Sequence, residues 1–347
     1  MKTLLKTAIL IIFIASFFSF TTNTLIVDGK QPQITIDKLG IVRIIYGNED
    51  KIYCATSTDN GLTFQDIQII GEIKDMHLGM SRGPQVASSK NYTLVTALDK
   101  KGAIHVFQLN HQSQKWAKKT LVNDLTGSSP EGLMNIAADQ DDNFYAVWLD
   151  IRNDKHNKIC FAKTTDKGIS WSKNSIVYQS PDSTVCPCCK PTITLSQSKV
   201  SIMFRNWLNG SRDLYLLQSD NKGNTFNSPV KLGNGTWKLN ACPMDGGGIV
   251  VSDKNVVSTV WQREGRIYYS KPNQPENQIG TGRNCSITDP ENPIIVWQDG
   301  KTLKIKELSK SEIFDIGEGS FIKAIRTKDN KIFCAWEKDG KINFKKL

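Results

Sequence analysis

The chain has 347 residues, 22% of them charged and 39% hydrophobic, with a formal net charge of +10. The lysines are scattered, often at turns, as with Lys167, Lys222, Lys254, Lys301 and Lys338. No basic block is interleaved with aromatics, so composition argues against a nucleic-acid partner and for a solvated, mildly basic surface.

The first 23 residues read as an export signal. Lys2 and Lys6 are followed by an apolar run over 8–20 and then by small polar residues. That run falls short of the roughly 20 apolar residues a membrane span needs. The expectation is a periplasmic or secreted protein with no stable span once the signal is gone; an uncleaved N-terminal anchor is the alternative. The two lysines leave with the segment, so the balance drops from +10 to +8.

From residue 24 to 347 the pattern is one of short alternating runs and polar turns, with no helical period. A single unit recurs: a first run, a β-branched second run often ending in an aromatic, and a third run. The second runs are Ile41 to Tyr46, Tyr92 to Thr96, Phe144 to Trp148, Val200 to Phe204, Val256 to Trp261, Pro293 to Trp297 and Lys331 to Trp336. All-β units of roughly 40–55 residues fit the four-stranded antiparallel blades of a β-propeller in one domain. Seven blades is the count; six is the alternative, should the last two units merge. The last unit lacks a fourth strand, which Leu25 to Asp28 can supply, closing the ring and removing an exposed edge.

Eight cysteines in an exported chain permit disulfides without fixing their connectivity. Cys54, Cys160 and Cys334 lie inside apolar runs and read as buried hydrophobes. Cys186, Cys188 and Cys189 crowd into Val185-Cys186-Pro187-Cys188-Cys189-Lys190-Pro191, and Cys242 stands in Cys242-Pro243-Met244-Asp245-Gly246-Gly247-Gly248. Both stretches precede a first strand. Three readings stay open for them: a disulfide clamp between the two loops, a soft-metal site, or redox-active thiols. Thiolates with Met244, Met80, Met134 or His77 suit copper(I), whereas the spacing lacks the paired CxxC of zinc ribbons.

Three third runs end in a common turn: Ser57-Thr58-Asp59-Asn60-Gly61-Leu62-Thr63-Phe64, Thr164-Thr165-Asp166-Lys167-Gly168-Ile169-Ser170-Trp171 and Ser219-Asp220-Asn221-Lys222-Gly223-Asn224-Thr225-Phe226. The Asp or Asn can bond the backbone of its own turn, and Gly supplies positive φ. This pattern resembles the Asp-box, or BNR repeat, of sialidase-like propellers, across the whole mature chain. In that family the turns are structural. The resemblance implies a ligand site in the central pocket, overlooked by the loops leading into the first strands.

Those loops hold chemically distinctive residues: His77, Met80 and Arg82, then Glu131, the four cysteines, Asp245, and finally Arg283 with Cys285. Sialidases grip a carboxylate with three arginines, use a tyrosine nucleophile oriented by Glu, and an Asp as acid/base. Arg82 in Ser81-Arg82-Gly83-Pro84 loosely resembles the family's Arg-Ile-Pro stretch. On this resemblance Arg82, Arg205 and Arg283 (or Arg263) would be the arginines, Glu131 the catalytic carboxylate and Asp245 a ligand-binding residue. Gly83 replaces the isoleucine, no isolated loop tyrosine is present, and sialidase sites are not cysteine-rich. The alternative for each arginine is an ion pair between blades, Asp150 being one acceptor. The expected function is recognition of a glycan or small anionic ligand, with exo-sialidase-like hydrolysis as an extension. The rival is a non-catalytic propeller handling a soft metal, with copper as the cofactor, or a protein partner.

Overall fold

A computed structural model describes residues 23–182 and 184–347; the expected export signal lies outside them apart from its last residue. The chain forms seven four-stranded antiparallel sheets, and the described residues contain no helix. In blade one the strands are Lys30–Ile36, Val42–Asn48, Lys51–Ser57 and Gln65–Glu72, paired in sequence order. Blades two to six repeat that order, each beginning with its innermost strand. The seven inner strands pack side by side around one axis, and that of blade seven, Ser320–Arg326, meets that of blade one.

The ring closes as the sequence leads one to expect. Blade seven takes its outer strand, Asn23–Asp28, from the N-terminus, paired antiparallel, with one register shift, to Lys341–Lys346 at the opposite end of the chain. Ladder hydrogen bonds thus join the two termini, and no blade is left with a half-built edge.

Middle strands are buried on both faces because each blade is sandwiched between neighbours. All seven residues of Phe144–Asp150 are buried. Trp148, Trp297 and Trp336 rank among the largest fully enclosed side chains, each contributing roughly 2–3 kcal/mol through apolar burial. Cys54, Cys160 and Cys334 sit in these inter-blade cores, as their apolar flanks predict.

The three recurrent turns pin each blade to the one before it. Asp59 accepts from the backbone of Leu62 and Thr63 and from the hydroxyls of Ser57 and Thr63. Gly61, at φ +84°, lies against Phe333 of blade seven, and Phe64 packs between Phe333 and Phe344. Phe226 meets Phe161 of blade three in the same way. These turns are therefore inter-blade fasteners, remote from the axis.

Candidate functional site

A pocket of about 340 Å³ opens on the axis, with every inner strand or the loop before it contributing to the wall. Polar side chains ring it: Gln33, Asn135, Lys190, Asp245, Asn284 and Lys323. Lys190 comes from the loop before blade four and Lys323 from the inner strand of blade seven. Lys190 donates to Gln85 Oε1 at 3.0 Å, which also accepts from Asn135 at 3.2 Å. Burial pushes both amines below the usual lysine range, and the Lys323 charge lowers Lys190 further. Each keeps slight exposure to the pocket while protein surrounds it elsewhere. Neither joins an ion pair among the described residues. Thr192, on the same wall, has a buried hydroxyl without a hydrogen-bond partner there.

Asp245 is the pocket's one carboxylate. Oδ2 accepts from Asn284 N at 2.6 Å and Oδ1 from Gly247 N at 3.2 Å. Burial pushes its pKa up, against the pull of Arg205, those N–H groups and Arg283. The glycines after it line the pocket and are also required for packing. A Cβ on Gly246 would meet the Lys190 carbonyl at 1.9 Å, and one on Gly247 (φ +69°) would meet the Val260 carbonyl at 2.4 Å. The two cysteine-bearing loops thus press together backbone to backbone, delivering Lys190 and Asp245 to one pocket.

The expected arginines are placed differently from one another. Arg82 donates from Nε to the Glu131 carbonyl at 2.6 Å, and its Nη2 lies 3.8 Å from the Glu131 carboxylate. Loops of blades two and three are joined there, and neither residue lines the axial pocket. Arg205 is 1% exposed, and its guanidinium donates to the carbonyls of Asp245, Arg212 and Gln262 at 3.0, 2.6 and 2.8 Å. It stitches blade four to blade five and has no face toward a ligand. Arg283 is exposed, within electrostatic reach of Asp245. Arg263 pairs with Glu276 and stacks on Tyr268. Asp150 is held by Arg152, Trp148 and Ser128, all within blade three and the loop before it.

The thiols form a second centre. Cys186 Sγ lies 3.6 Å from that of Cys188 and 3.5 Å from that of Cys189, and all three sulfurs fall within 4.8 Å of one another. The Cys186 N–H bonds the Arg205 carbonyl at 3.1 Å, fixing the loop to the end of the Lys199–Arg205 strand. Arg212 Nη1 donates to Cys186 Sγ at 3.0 Å while its plane stacks on Trp207. Bonds from the Cys188 and Cys189 thiols, with the Arg212 and Arg205 cations behind them, hold Cys186 far below the ordinary thiol range. Cys188 and Cys189 are pushed up, the first mainly by its bond to Cys186 and the second mainly by burial. Cys242 is exposed on the neighbouring loop, within electrostatic reach of Cys188 and outside the tight trio. All eight cysteines are free thiols in this structure, so of the three readings it does not display the clamp.

Three of the other proposed soft ligands stand apart. Met134 is buried in the core between blades two and three, Met80 is exposed, and His77 Nε2 is bonded to the Pro130 carbonyl. Met244 is half-buried between Cys242 and Asp245, at φ +53°. Sequence reasoning missed Lys190 and Lys323. Lys190 stands in the same loop class as the residues it singled out, directly before Pro191; Lys323 is marked only by interrupting an apolar inner strand.

No protein-family model matches this chain, and neither does any curated protein. Solved structures do. Ycf48 from Cyanidioschyzon merolae is 10% identical over 94% of this chain and 98% of its own, with a TM-score of 0.58. An ulvan lyase, a polysaccharide lyase bound to -[GlcA(1-4)Rha3S]-, is 12% identical over 93% and 95%, with a TM-score of 0.57. A Trypanosoma rangeli sialidase is 13% identical over 92% of this chain and 55% of its own, with a TM-score of 0.54. At these identities the likeness is one of fold: this chain is a seven-bladed propeller similar in architecture to sialidases and to other propellers.

Proposed function

We propose that the chain is an exported binding protein that takes a small acidic sugar, or a like oxygen-rich anion, into the axial pocket and holds it without hydrolysing it. The observation that carries this reading is the pair Lys190 and Lys323, two amines facing one pocket without an ion-pair partner. Burying such groups is costly unless an anion joins them. Around them, Gln33, Asn135 and Asn284 offer the amide groups that hydroxyl-rich ligands accept. Acidic sugars already occur on this architecture, in the ulvan lyase complex.

Hydrolysis is disfavoured by what lines the pocket. Sialidase chemistry uses a tyrosine nucleophile, and most other glycosidases use two flanking carboxylates. Among the described residues the lining contains no tyrosine and the single carboxylate of Asp245. Glu131 is engaged with Arg82 outside it. Lysines also serve as point charges in place of the bidentate grip of an arginine triad.

The test is calorimetric titration with sialic acid, glucuronate, a sulfated rhamnose and neutral glucose, alongside an aryl-sialoside turnover assay. An acidic sugar should bind, glucose should not, and Lys190→Met/Lys323→Met should weaken binding by roughly tenfold or more. Equal binding by the double variant, or no acidic sugar bound at all, removes the reading. Turnover above buffer makes the chain a glycosidase.

A further inference from the structure

The Cys186–Cys188–Cys189 trio lies apart from the axial pocket and is independent of the sugar reading. We propose that its three sulfurs form a three-coordinate thiolate site for copper(I), open to solvent beside Cys188.

The donor set is all sulfur. Among the described residues no imidazole or carboxylate joins this group. Pure thiolate sets select soft cations, copper(I) foremost among them. The spacing is also right. Sulfurs about 2.3 Å from a common centre stand roughly 4.0 Å apart when the three are coplanar with it. The 3.6 and 3.5 Å separations around Cys186 need only a few tenths of an ångström of opening.

Three sulfurs gathered within 4.8 Å of one another suit neither filler nor clamp. Buried filler cysteines such as Cys160 sit among aliphatic carbons, whereas Cys186 receives a guanidinium N–H from Arg212. A disulfide would use two of the three and leave one sulfur over. A tris-thiolate copper(I) centre carries net negative charge, which Arg212 offsets at 3.0 Å with Arg205 behind it. The frame is rigid: Pro187 and Pro191 fix φ in the loop, the Cys186 N–H is tied to Arg205, and Arg212 is stacked on Trp207. Cys189 is enclosed, while Cys188 is partly exposed and the exposed Cys242 lies within its electrostatic reach, giving one approach for an incoming ion. Loading is ligand exchange. Each protonated sulfur releases its proton to buffer as its S–Cu bond forms, the carrier ligand departs, and copper remains copper(I).

Zinc prefers four ligands. Cys242 is its available fourth, so the role of Cys242 separates the two metals. The experiment uses the whole chain, reduced and anaerobic, titrated with copper(I) against bicinchoninate and separately with zinc, and followed by X-ray absorption. The expected result is one copper(I) per chain with three sulfur scatterers. Cys188→Ser, at a partly exposed position, and Cys186→Ser/Cys188→Ser should each weaken binding by roughly a hundredfold or more, with melting curves confirming the fold. Cys242→Ser should leave copper binding within about threefold. Copper uptake unchanged in the folded Cys188→Ser and double variants overturns the site. A four-sulfur zinc complex that needs Cys242 and outcompetes copper overturns the metal. The sugar titration on the same preparations reads the axial pocket separately, so either proposal can fail alone.

Discussion

Nη1 of Arg212 lies 3.0 Å from Sγ of Cys186, and Nε of the same guanidinium lies 3.1 Å from the Leu239 carbonyl. One side chain therefore ties the cysteine loop of blade four to the segment that carries Cys242. Arg212 is 3% exposed, so both bonds are made out of water. Arg212→Met should keep the stem packing and lose both bonds, costing about 2–4 kcal/mol in urea unfolding. Arg212→Lys should recover only part, because an ammonium cannot stack on Trp207 and reach both acceptors. Full stability in the Met variant would separate the arginine from loop architecture.

A second prediction concerns acid. Burial pushes the Asp59 carboxyl up, but the Ser57 and Thr63 hydroxyls and the Thr63 and Leu62 N–H groups outweigh it and hold it at about 2. Asp166 is lowered by the equivalent partners in blade three. A depressed carboxyl stabilises the fold fully above its unfolded pKa of about 4. That contribution is lost as pH falls toward 2. Asp59→Asn mimics the turn of blade four, where Asn221 accepts from Thr225 N and donates to the Thr225 hydroxyl. The Asn variant should match the parent near pH 7 and lose less melting temperature between pH 4 and 2. Asp59→Ala should cost about 0.5–2 kcal/mol at neutral pH, with ligand binding intact.

The N-terminal strand carries a third. Removing residues 23–28 leaves the Lys341–Lys346 ladder of blade seven unpaired along one side. An open hydrogen-bonding edge recruits other chains. The truncated protein should melt several degrees lower or aggregate, as read by light scattering during a thermal ramp. A monomeric truncation with unchanged melting would show that the pairing contributes little.

A fourth rests on Asp150, fully buried and holding Ser128 Oγ, Trp148 Nε1 and the Arg152 guanidinium. Asp150→Ala strands three donors at once and should cost about 3–5 kcal/mol. Asp150→Asn keeps the shape and loses the charge, so it should fall between Ala and parent in denaturant unfolding.

What the sequence made legible follows from how each feature is encoded. Middle strands are buried on both faces, so Phe144 to Trp148 or Val256 to Trp261 stand out as continuous apolar runs. The turns at Asp59, Asp166 and Asn221 are local hydrogen-bond motifs, and their spacing survives as a pattern. The grouping of Cys186, Cys188 and Cys189 needed no folding argument. Outer strands were harder to see, because Gln65–Glu72 is mostly exposed and lacks an apolar run. The fate of Arg205 was invisible, since its partners are backbone carbonyls that leave no trace in side-chain identity. Lys323 was missed for a related reason: which face of a strand meets the axis depends on pleat parity, and one lysine among many does not announce it.

Lys323 supplies the last prediction, in which stability and binding move in opposite directions. Its amine lies in the pocket wall and makes no hydrogen bond to another described residue; Lys190, Asp245 and Cys285 are its charged or ionisable companions. Burial lowers its pKa, so the unliganded fold is destabilised by carrying it as a cation. Sign matters here. An amine whose folded pKa is depressed binds protons more readily when unfolded, so its penalty is full below the folded value, fades as pH rises through it, and is gone above the unfolded value, near 10. Lys323→Met retains most of the stem volume and removes that penalty. The variant should melt at or above the parent at pH 7, the gap closing as pH rises toward about 10, while acidic-sugar binding falls by roughly tenfold or more. A lysine retained for the fold alone would give the reverse, a Met variant that melts lower and binds as before. The two measurements on one protein decide whether this charge is kept in the axial pocket for a ligand.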